Sequence, residues 1–156
     1  MKIRKATKKD LEEVAILIRK TFKRFNSKGE SKRAVRNYLS HFSTKKENFH
    51  KLKKNFSDSP LFFVAEESKK IIGVIRGRPN RIFNLFVDSN YHKKGVGRRL
   101  VEMFEKKAFA HKSKIIKISA SLYAVPFYQR RGYKKTTGLR KLFRLKVQPM
   151  QKRLKC

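Results

Sequence analysis

The segment between residues 81 and 110 constrains the fold of this chain more than any other stretch. Arg81–Val87 is a short apolar run of the kind that forms a buried strand. Two glycines, Gly95 and Gly97, follow it in the loop HKKGVGR. From about residue 95 to 110, apolar residues then recur at the spacing of an amphipathic helix. A strand, a glycine-containing loop and a helix in this order predict a sheet with a helix packed on its face.

The rest of the chain supplies the other elements of such a sheet. Thr7 and Asp10 form a helix-start pattern, and Gly132 is placed to end a short helix. The predicted elements are a strand at 1–6, helices at 8–25, 35–42 and 49–56, a hairpin of strands at 61–65 and 71–75, a strand at 115–118, a helix at 125–131 and strand from 133 onward. We therefore predict an α/β (α+β) fold, a mixed sheet flanked by helices, in one domain over residues 1–156.

The charge of the chain is its most unusual property. It has 43 basic and 11 acidic residues, for a formal net charge of +32. Such a surface attracts polyanions, with nucleic acid as the first partner to consider and phosphorylated cofactors as the second. The alternative is a lysine-rich composition on solvated faces. The basic residues are spread along the whole chain and form no basic tail.

Several kinds of chemistry are disfavoured by the residues present. Cys156, the last residue, is the single cysteine, so we expect neither a disulfide framework nor a cysteine intermediate. The four histidines show no metal-ligand spacing, and we expect no metal. No run resembles a signal peptide or reaches the length of a membrane span. We expect a cytoplasmic protein that does not enter a membrane.

The glycine-containing loop has the properties of an anion site. The first turn of a helix leaves N–H groups unpaired, and its dipole adds partial positive charge. Gly95 and Gly97 allow the backbone to approach a phosphate closely. The loop lacks the third glycine of the dinucleotide fingerprint and the GK[ST] of a P-loop. On these residues alone, an ordinary tight strand-to-helix turn remains open.

The loop resembles motif A of the GNAT superfamily of acyl-CoA N-acyltransferases, which binds the CoA pyrophosphate. The segment Tyr123–Tyr133, YAVPFYQRRGY, is similar to the second motif of that family, A-x-x-F-Y-x-x-x-G-[FY]. The start around Ala6 and the ending at Pro149–Leu154 are also similar to the family. His92 stands where the family usually has Arg or Gln, and Ser121 where many members have Asn.

The resemblance implies a mostly antiparallel sheet in which two strands splay apart to form a CoA cleft. It implies acetyl-CoA as the acyl donor and direct attack on the thioester by a primary amine. Tyr128 matches the general acid of the family. The implied cofactor-binding residues are Leu85, Phe86, Val87, His92, Lys93, Lys94, Gly95, Val96, Gly97, Arg98, Ser121 and Tyr128. No base is assigned, since the family positions fall near Arg81 and Phe83; an ordered water, Tyr123, Glu66 and Glu67 stay open.

The acceptor is expected between residues 25–56 and the chain after Gly138. The basic residues of this region favour an anionic or RNA-borne amine over a cationic one; they are Arg33, Arg36, Lys45, Lys46, Lys53 and Lys54. The alternative functions are an RNA-directed acetyltransferase, for example one acting on aminoacyl-tRNA, and a non-catalytic nucleic-acid-binding protein on the same scaffold. A homodimer is left open.

Overall fold

The computed structural model describes residues 1–155, and Cys156, for which neither a disulfide nor a covalent intermediate was expected, lies outside them. The elements are β1 (Lys2–Lys5), α1 (Leu11–Thr21), α2 (Lys32–Ser40), α3 (Phe49–Phe56), β2 (Leu61–Glu67), β3 (Lys70–Arg78), β4 (Arg81–Val87), α4 (Val96–Ala110), β5 (Ile115–Ser121), α5 (Val125–Arg130), β6 (Lys134–Lys135), β7 (Arg140–Leu142) and β8 (Leu145–Arg153). Every element expected from the sequence is present. The strand predicted from residue 133 onward is divided into β6, β7 and β8.

The strands form one sheet in the order β1-β2-β3-β4-β5-β8-β6, and β7 pairs with β8. All of the pairings are antiparallel except that between β4 and β5. This arrangement confirms the predicted mixed, mostly antiparallel sheet flanked by helices. None of the helices within residues 1–155 combines the length and the apolar character needed to cross a membrane.

The central strands are buried on both faces, which explains their nearly continuous apolar runs. One face packs against α1, α2 and α3, where Val14, Ile18 and Phe56 are at most 3% exposed. The other face packs against α4, whose Leu100 and Phe104 are fully buried. Burying each such side chain contributes roughly 1.5–3 kcal/mol. The two apolar layers therefore hold the central strands rigidly between them.

The first helix starts as the sequence predicts. The Asp10 carboxylate accepts a hydrogen bond of 2.7 Å from the Thr7 backbone N–H. Arg4 donates to both Asp10 and Glu66 at 2.8 Å, and its guanidinium lowers the pKa of Asp10 to about 2. This cluster joins β1, β2 and the start of α1. A five-residue π-helix, Phe22–Asn26, continues α1, so the predicted helix changes its winding before it ends.

Strands β4 and β5 diverge soon after they meet. They pair only at Arg81 with Lys117 and at Ile82 with Ile118. On its other edge β4 contains a β-bulge, because Arg76 faces Asn84 while the next residue of β3 faces Ile82. Phe83 is therefore the extra residue of β4, and a bulge bends its strand. The divergence confirms the predicted splay; the bulge was not predicted.

Candidate active site

A cavity of about 570 Å³ opens where β4 and β5 diverge. Its walls come from both strands, from the π-helical turn after α1, from the segment before α5 and from the start of β8. The last two contacts follow from topology, since β8 pairs with β5 and the segment before α5 directly follows the end of β5. The cavity thus lies at the predicted cleft, with its floor formed by β4 and β5.

Tyr128 of α5 places its phenol in the wall of this cavity. The residue is 2% exposed, and burial raises the pKa of its hydroxyl. No charge or hydrogen bond within residues 1–155 offsets that shift. The ring is held edge-on between Phe127 and Tyr133, with centroid distances of 5.2 and 5.4 Å. Tyr128 is therefore a fixed, protonated phenol beside the cavity.

The start of α4 is a helix terminus without a side-chain cap. Gly95 is its N-cap residue at φ 81°, and its first turn has no acidic residue. The first backbone bond runs from the Arg99 N–H to the Gly95 carbonyl at 3.0 Å, so the N–H groups before it are free of helical partners. A Cβ on Gly95 would meet no atom within 4 Å. The space on the side-chain side of Gly95 is thus open, and a helix terminus with N–H groups free of helical partners can bind an anion.

Gly97 connects this terminus to the cavity region. A Cβ added to it would lie 3.2 Å from the Phe127 ring and 3.7 Å from a Val87 methyl group. The first turn of α4 therefore lies between the end of β4 and the start of α5. The absence of a side chain at Gly97 permits this close packing, because any larger residue must displace the Phe127 ring.

The side chain of His92 is turned onto β4. Its Nε2 lies 2.7 Å from the Val87 carbonyl oxygen, to which an Nε2–H donates. The Phe25 ring packs on the imidazole at a centroid distance of 4.8 Å. His92 thus fixes the loop against the end of β4 through its side chain, and its own backbone N–H donates to the Ser89 carbonyl at 3.3 Å.

The edge of β4 that faces the gap carries unpaired backbone groups. The Asp88 N–H donates to the Ile72 carbonyl at 2.8 Å, so the backbone N–H of Asp88 is directed toward β3. Successive residues of a strand point to alternate sides. The backbone groups of Leu85 and Val87 therefore face the gap, whereas those of Phe86 face β3. Of the three β4 residues predicted to contact the cofactor, Leu85 and Val87 therefore have backbone groups on the side of the gap. Phe86 lines the cavity with its side chain instead.

The structure brings most of the predicted site residues to one region. Leu85, Phe86, Ser121 and Tyr128 line the cavity, and the loop from residue 92 to 98 lies beside Val87. Tyr123 also lines the cavity, is 56% exposed and stacks on Phe25 at 5.0 Å. Of the open base candidates, Glu66 binds Arg4 and Glu67 lies 3.7 Å from the N-terminal amine, both away from the cavity.

The acceptor end of the cavity contains groups that the sequence patterns did not single out. None of the six basic residues predicted for acceptor binding is part of the cavity wall. The cations of the wall are instead Lys28, Arg76, Arg81 and Lys146. Arg76 is 5% exposed, and burial lowers its pKa to about 10. A lone Arg within a strand of apolar residues was the available signal for this position.

No metal centre is visible in the part of the chain that the structure describes. Within residues 1–155, no three His, Cys, Asp or Glu side chains come close enough together to hold a metal ion. The prediction of a metal-free site stays a prediction.

The site thus combines a splayed sheet, a buried phenol in the gap and a helix terminus without a side-chain cap at the end of β4. This is the arrangement expected of an acyl-CoA N-acyltransferase. A family model described as Acetyltransferase (GNAT) domain matches residues 20–154. The chain belongs to this family, and by class it is an acyl-CoA-dependent N-acetyltransferase.

Solved structures of the same fold agree with this membership. A GCN5-related N-acetyltransferase from Rhodopseudomonas palustris superposes with a TM-score of 0.81 at 20% identity, covering 98% of this chain and 95% of the other. The PaiA N-acetyltransferase from Thermoplasma acidophilum, in complex with coenzyme A, gives 0.76 at 20% identity and 98% of both chains. An aminoglycoside 6'-N-acetyltransferase complexed with coenzyme A gives 0.71 at 14% identity, covering 98% and 97%. No curated protein sequence matches the chain.

Proposed function

We propose that the protein transfers an acetyl group from acetyl-CoA to a primary amine, with the pyrophosphate bound at the start of α4. The observation that carries this proposal is the helix terminus at Gly95, which has no side-chain cap, open space on the side-chain side of its first glycine and a position beside the end of β4. Lys93, Lys94 and Arg98 supply positive charge around it. Two solved relatives by fold are complexed with coenzyme A, which supports the same ligand here.

The pantetheine arm would follow the gap between β4 and β5. Leu85 and Val87 have backbone groups on that side of β4, and an N–H there stabilises negative charge on the thioester oxygen as the amine attacks. Ser121 stands at the opposite wall, on the end of β5. Tyr128 in the same wall is 2% exposed, and exclusion of water from around its hydroxyl would strengthen its contact with the sulfur.

Tyr128 would act when the carbon–sulfur bond breaks. The amine nitrogen forms the new bond to the carbonyl carbon, and the departing sulfur takes the phenol proton. The acylated nitrogen then loses one proton to solvent. The Tyr128 phenolate takes one proton back from solvent, so the protons balance. The raised pKa of Tyr128 keeps the phenol protonated at neutral pH, as a general acid requires. We assign no residue as the base.

The acceptor is proposed to be an amine that carries negative charge. The net charge of +32 repels cationic acceptors, and four cations line the cavity itself. The same charge favours an RNA-borne amine as the second candidate. A purely non-catalytic role gains no support from the aromatic residues, since most of the phenylalanines are buried in the core rather than available to stack on bases.

The proposal is tested first by thermal unfolding with acetyl-CoA. A ligand at about 100 times its Kd stabilises the folded state by about 2.7 kcal/mol, which raises the Tm of a chain this size by roughly 5–10 °C. ATP at the same concentration and ionic strength is the control, because a protein of this charge binds any polyphosphate weakly. A rise in Tm with acetyl-CoA that is no larger than the rise with ATP would contradict the proposed cofactor site.

Transfer is then measured as release of free thiol from acetyl-CoA with a panel of amines. Acetylation of small amines supports the proposal. Binding of bulk tRNA with a steep dependence on salt, together with no transfer to small amines, would favour the RNA-directed candidate instead.

A further inference from the structure

Arg76 is a buried cation without a carboxylate partner, in the wall of the cavity where the acceptor would bind. It is 5% exposed, and within residues 1–155 it forms no salt bridge. Isolated buried charges are costly, so a guanidinium at such a depth normally has an ionised partner. The missing partner is the observation that calls for a ligand.

Neutral groups hold the guanidinium in place. Its Nε donates to the Asn84 side-chain oxygen at 2.6 Å, and one terminal nitrogen donates to the Ser59 hydroxyl at 2.7 Å and to the Asn55 carbonyl at 3.3 Å. The other terminal nitrogen has only a 3.5 Å contact with the Asn55 side chain. The Phe56 ring lies 4.9 Å from the guanidinium carbon. One nitrogen of a fixed guanidinium thus keeps donor capacity unused.

The acidic residues of the same wall are already engaged elsewhere. Asp58 binds Arg78 at 2.5 Å, on the exposed side of the strand. Glu30 accepts a hydrogen bond of 2.8 Å from the Lys146 backbone N–H. Asp58 acts on Arg76 only through a longer-range attraction that slightly raises its pKa. The positive charge of Arg76 is therefore not cancelled by a direct contact from either acid.

The position of Arg76 along the sheet suits a small acceptor. Arg76 faces Asn84 in the ladder, and Asn84 lies two residues before Phe86 on β4. At about 3.3 Å per residue, the backbone of Asn84, whose side chain accepts from the guanidinium, is about 7 Å along the strand from Phe86, which lies between Leu85 and Val87 at the proposed thioester position. An amine and an anion separated by a few bonds span such a distance.

We propose that Arg76 binds the carboxylate or phosphate of the acceptor, so that the protein selects small primary amines bearing an anion a few bonds from the nitrogen. This inference rests on the proposed acetyl transfer and adds the substrate class and the residue that selects it. Arg suits the role because its planar guanidinium pairs with carboxylate and phosphate through parallel hydrogen bonds.

The test compares matched amines in the thiol-release assay. β-Alanine is paired with propylamine, and O-phosphoethanolamine with ethanolamine, so that each pair compares an anionic amine with a neutral analogue. The two pairs together distinguish carboxylate from phosphate recognition. For Arg76→Gln we expect kcat/KM to fall about 10- to 100-fold for the anionic member that the wild type prefers. The neutral member of the same pair should stay within about threefold. Since each amine is compared with itself across variants, its intrinsic reactivity cancels.

Two further variants complete the design. Lys70→Gln removes the same unit charge from an exposed position of the same strand, outside the cavity, and should leave the preference unchanged. Arg76→Lys retains the charge and should restore part of the preference; it also serves if Arg76→Gln does not fold. Thermal shifts by O-phosphoethanolamine with CoA present report binding independently of turnover.

The outcomes separate the two proposals. Equal losses for charged and neutral amines in Arg76→Gln would give Arg76 a purely structural role and overturn the inference. So would a wild type that acetylates neutral amines as well as their anionic partners, although acetyl transfer would stand. Absence of transfer with no acetyl-CoA shift would overturn the proposed function, while an Arg76-dependent shift by O-phosphoethanolamine would still support the anion site.

Discussion

The proposed site has a cofactor end and an acceptor end, and the two are built by different means. At the cofactor end, the end of β4 and the start of α4 offer backbone N–H groups, and Gly95 leaves the space before them open. At the acceptor end, side chains from α2, α3, β3 and β4 meet around Arg76. One end therefore depends on backbone conformation and the other on side chains that are far apart in the chain.

This difference decides how specific each end can be. Backbone donors at a helix terminus recognise a phosphate by charge and shape, and they tolerate a change in most side chains nearby. A buried guanidinium with neutral partners recognises an anion at one position and loses it when the side chain changes. We therefore expect substitutions at the cofactor end to alter affinity for acetyl-CoA only where they change or obstruct the backbone, and those at the acceptor end to alter the choice of amine.

Tyr128 stands between the two ends, and its removal should have the largest effect. Tyr128→Phe keeps the ring between Phe127 and Tyr133 but deletes the hydroxyl, so folding and the KM for acetyl-CoA should change little. Loss of a general acid should lower kcat by about 100-fold or more. Steady-state kinetics by thiol release measure both constants. An unchanged kcat would exclude Tyr128 from the reaction.

The matched control is Tyr133→Phe. Tyr133 is also a buried tyrosine, but its hydroxyl donates to Glu105 at 2.8 Å and lies outside the cavity wall. This variant should lower the free energy of unfolding by about 1 kcal/mol and leave kcat within about twofold. The pH profile adds a second check: since burial raises the pKa of Tyr128, its phenol should keep its proton up to at least about pH 10.

Gly95→Ala and Gly29→Ala compare the two ends directly. Both glycines adopt left-handed backbone, at φ 81° and 79°, and neither has an atom within 4 Å of an added Cβ. Each variant should therefore lose a similar free energy of unfolding, about 1–2 kcal/mol. Only Gly95→Ala places a methyl group where the phosphate would approach, and its Kd for acetyl-CoA should rise about tenfold. Gly29 lies at the acceptor end, so its variant should leave that Kd unchanged.

Calorimetry or thermal unfolding gives the stability of both variants, and titration gives the Kd for acetyl-CoA. Equal losses of affinity in the two variants would mean that Gly95 acts through stability alone. Such a result would break the distinction between the two ends, because the helix terminus would then make no special contact with the cofactor.

The elements near the cofactor end could be predicted because their signals are local. Hydrophobic periodicity indicated β4 and α4, and Gly95 and Gly97 indicated the loop between them. Gly132 ends α5 in left-handed conformation, at φ 94°, as its position predicted. The mostly antiparallel character of the sheet and the splay of two strands followed from the family resemblance, since periodicity says nothing about which strands are neighbours.

The acceptor end could not be predicted in the same way. Arg76, Asn84, Asn55 and Ser59 belong to separate elements, and only the register of β3 against β4 brings the first two together. The bulge at Phe83 is likewise a property of two strands rather than of one. The net charge led the sequence analysis to six basic residues, Arg33, Arg36, Lys45, Lys46, Lys53 and Lys54. None of the six lines the cavity. Composition gives the total charge of a chain, whereas the fold decides which charged side chain is buried in the cavity wall.

His92→Gln should have the smallest effect and tests how far the cofactor end depends on the backbone alone. A glutamine amide can donate to the Val87 carbonyl as the Nε2–H of His92 does, although it loses the contact with the Phe25 ring. If the loop holds the pyrophosphate through N–H groups, the KM for acetyl-CoA should change by less than about threefold. His92→Ala removes the hydrogen bond as well and should cost about 1 kcal/mol of stability. A tenfold rise in KM for His92→Gln, without a loss of stability, would mean that the imidazole itself contacts the cofactor.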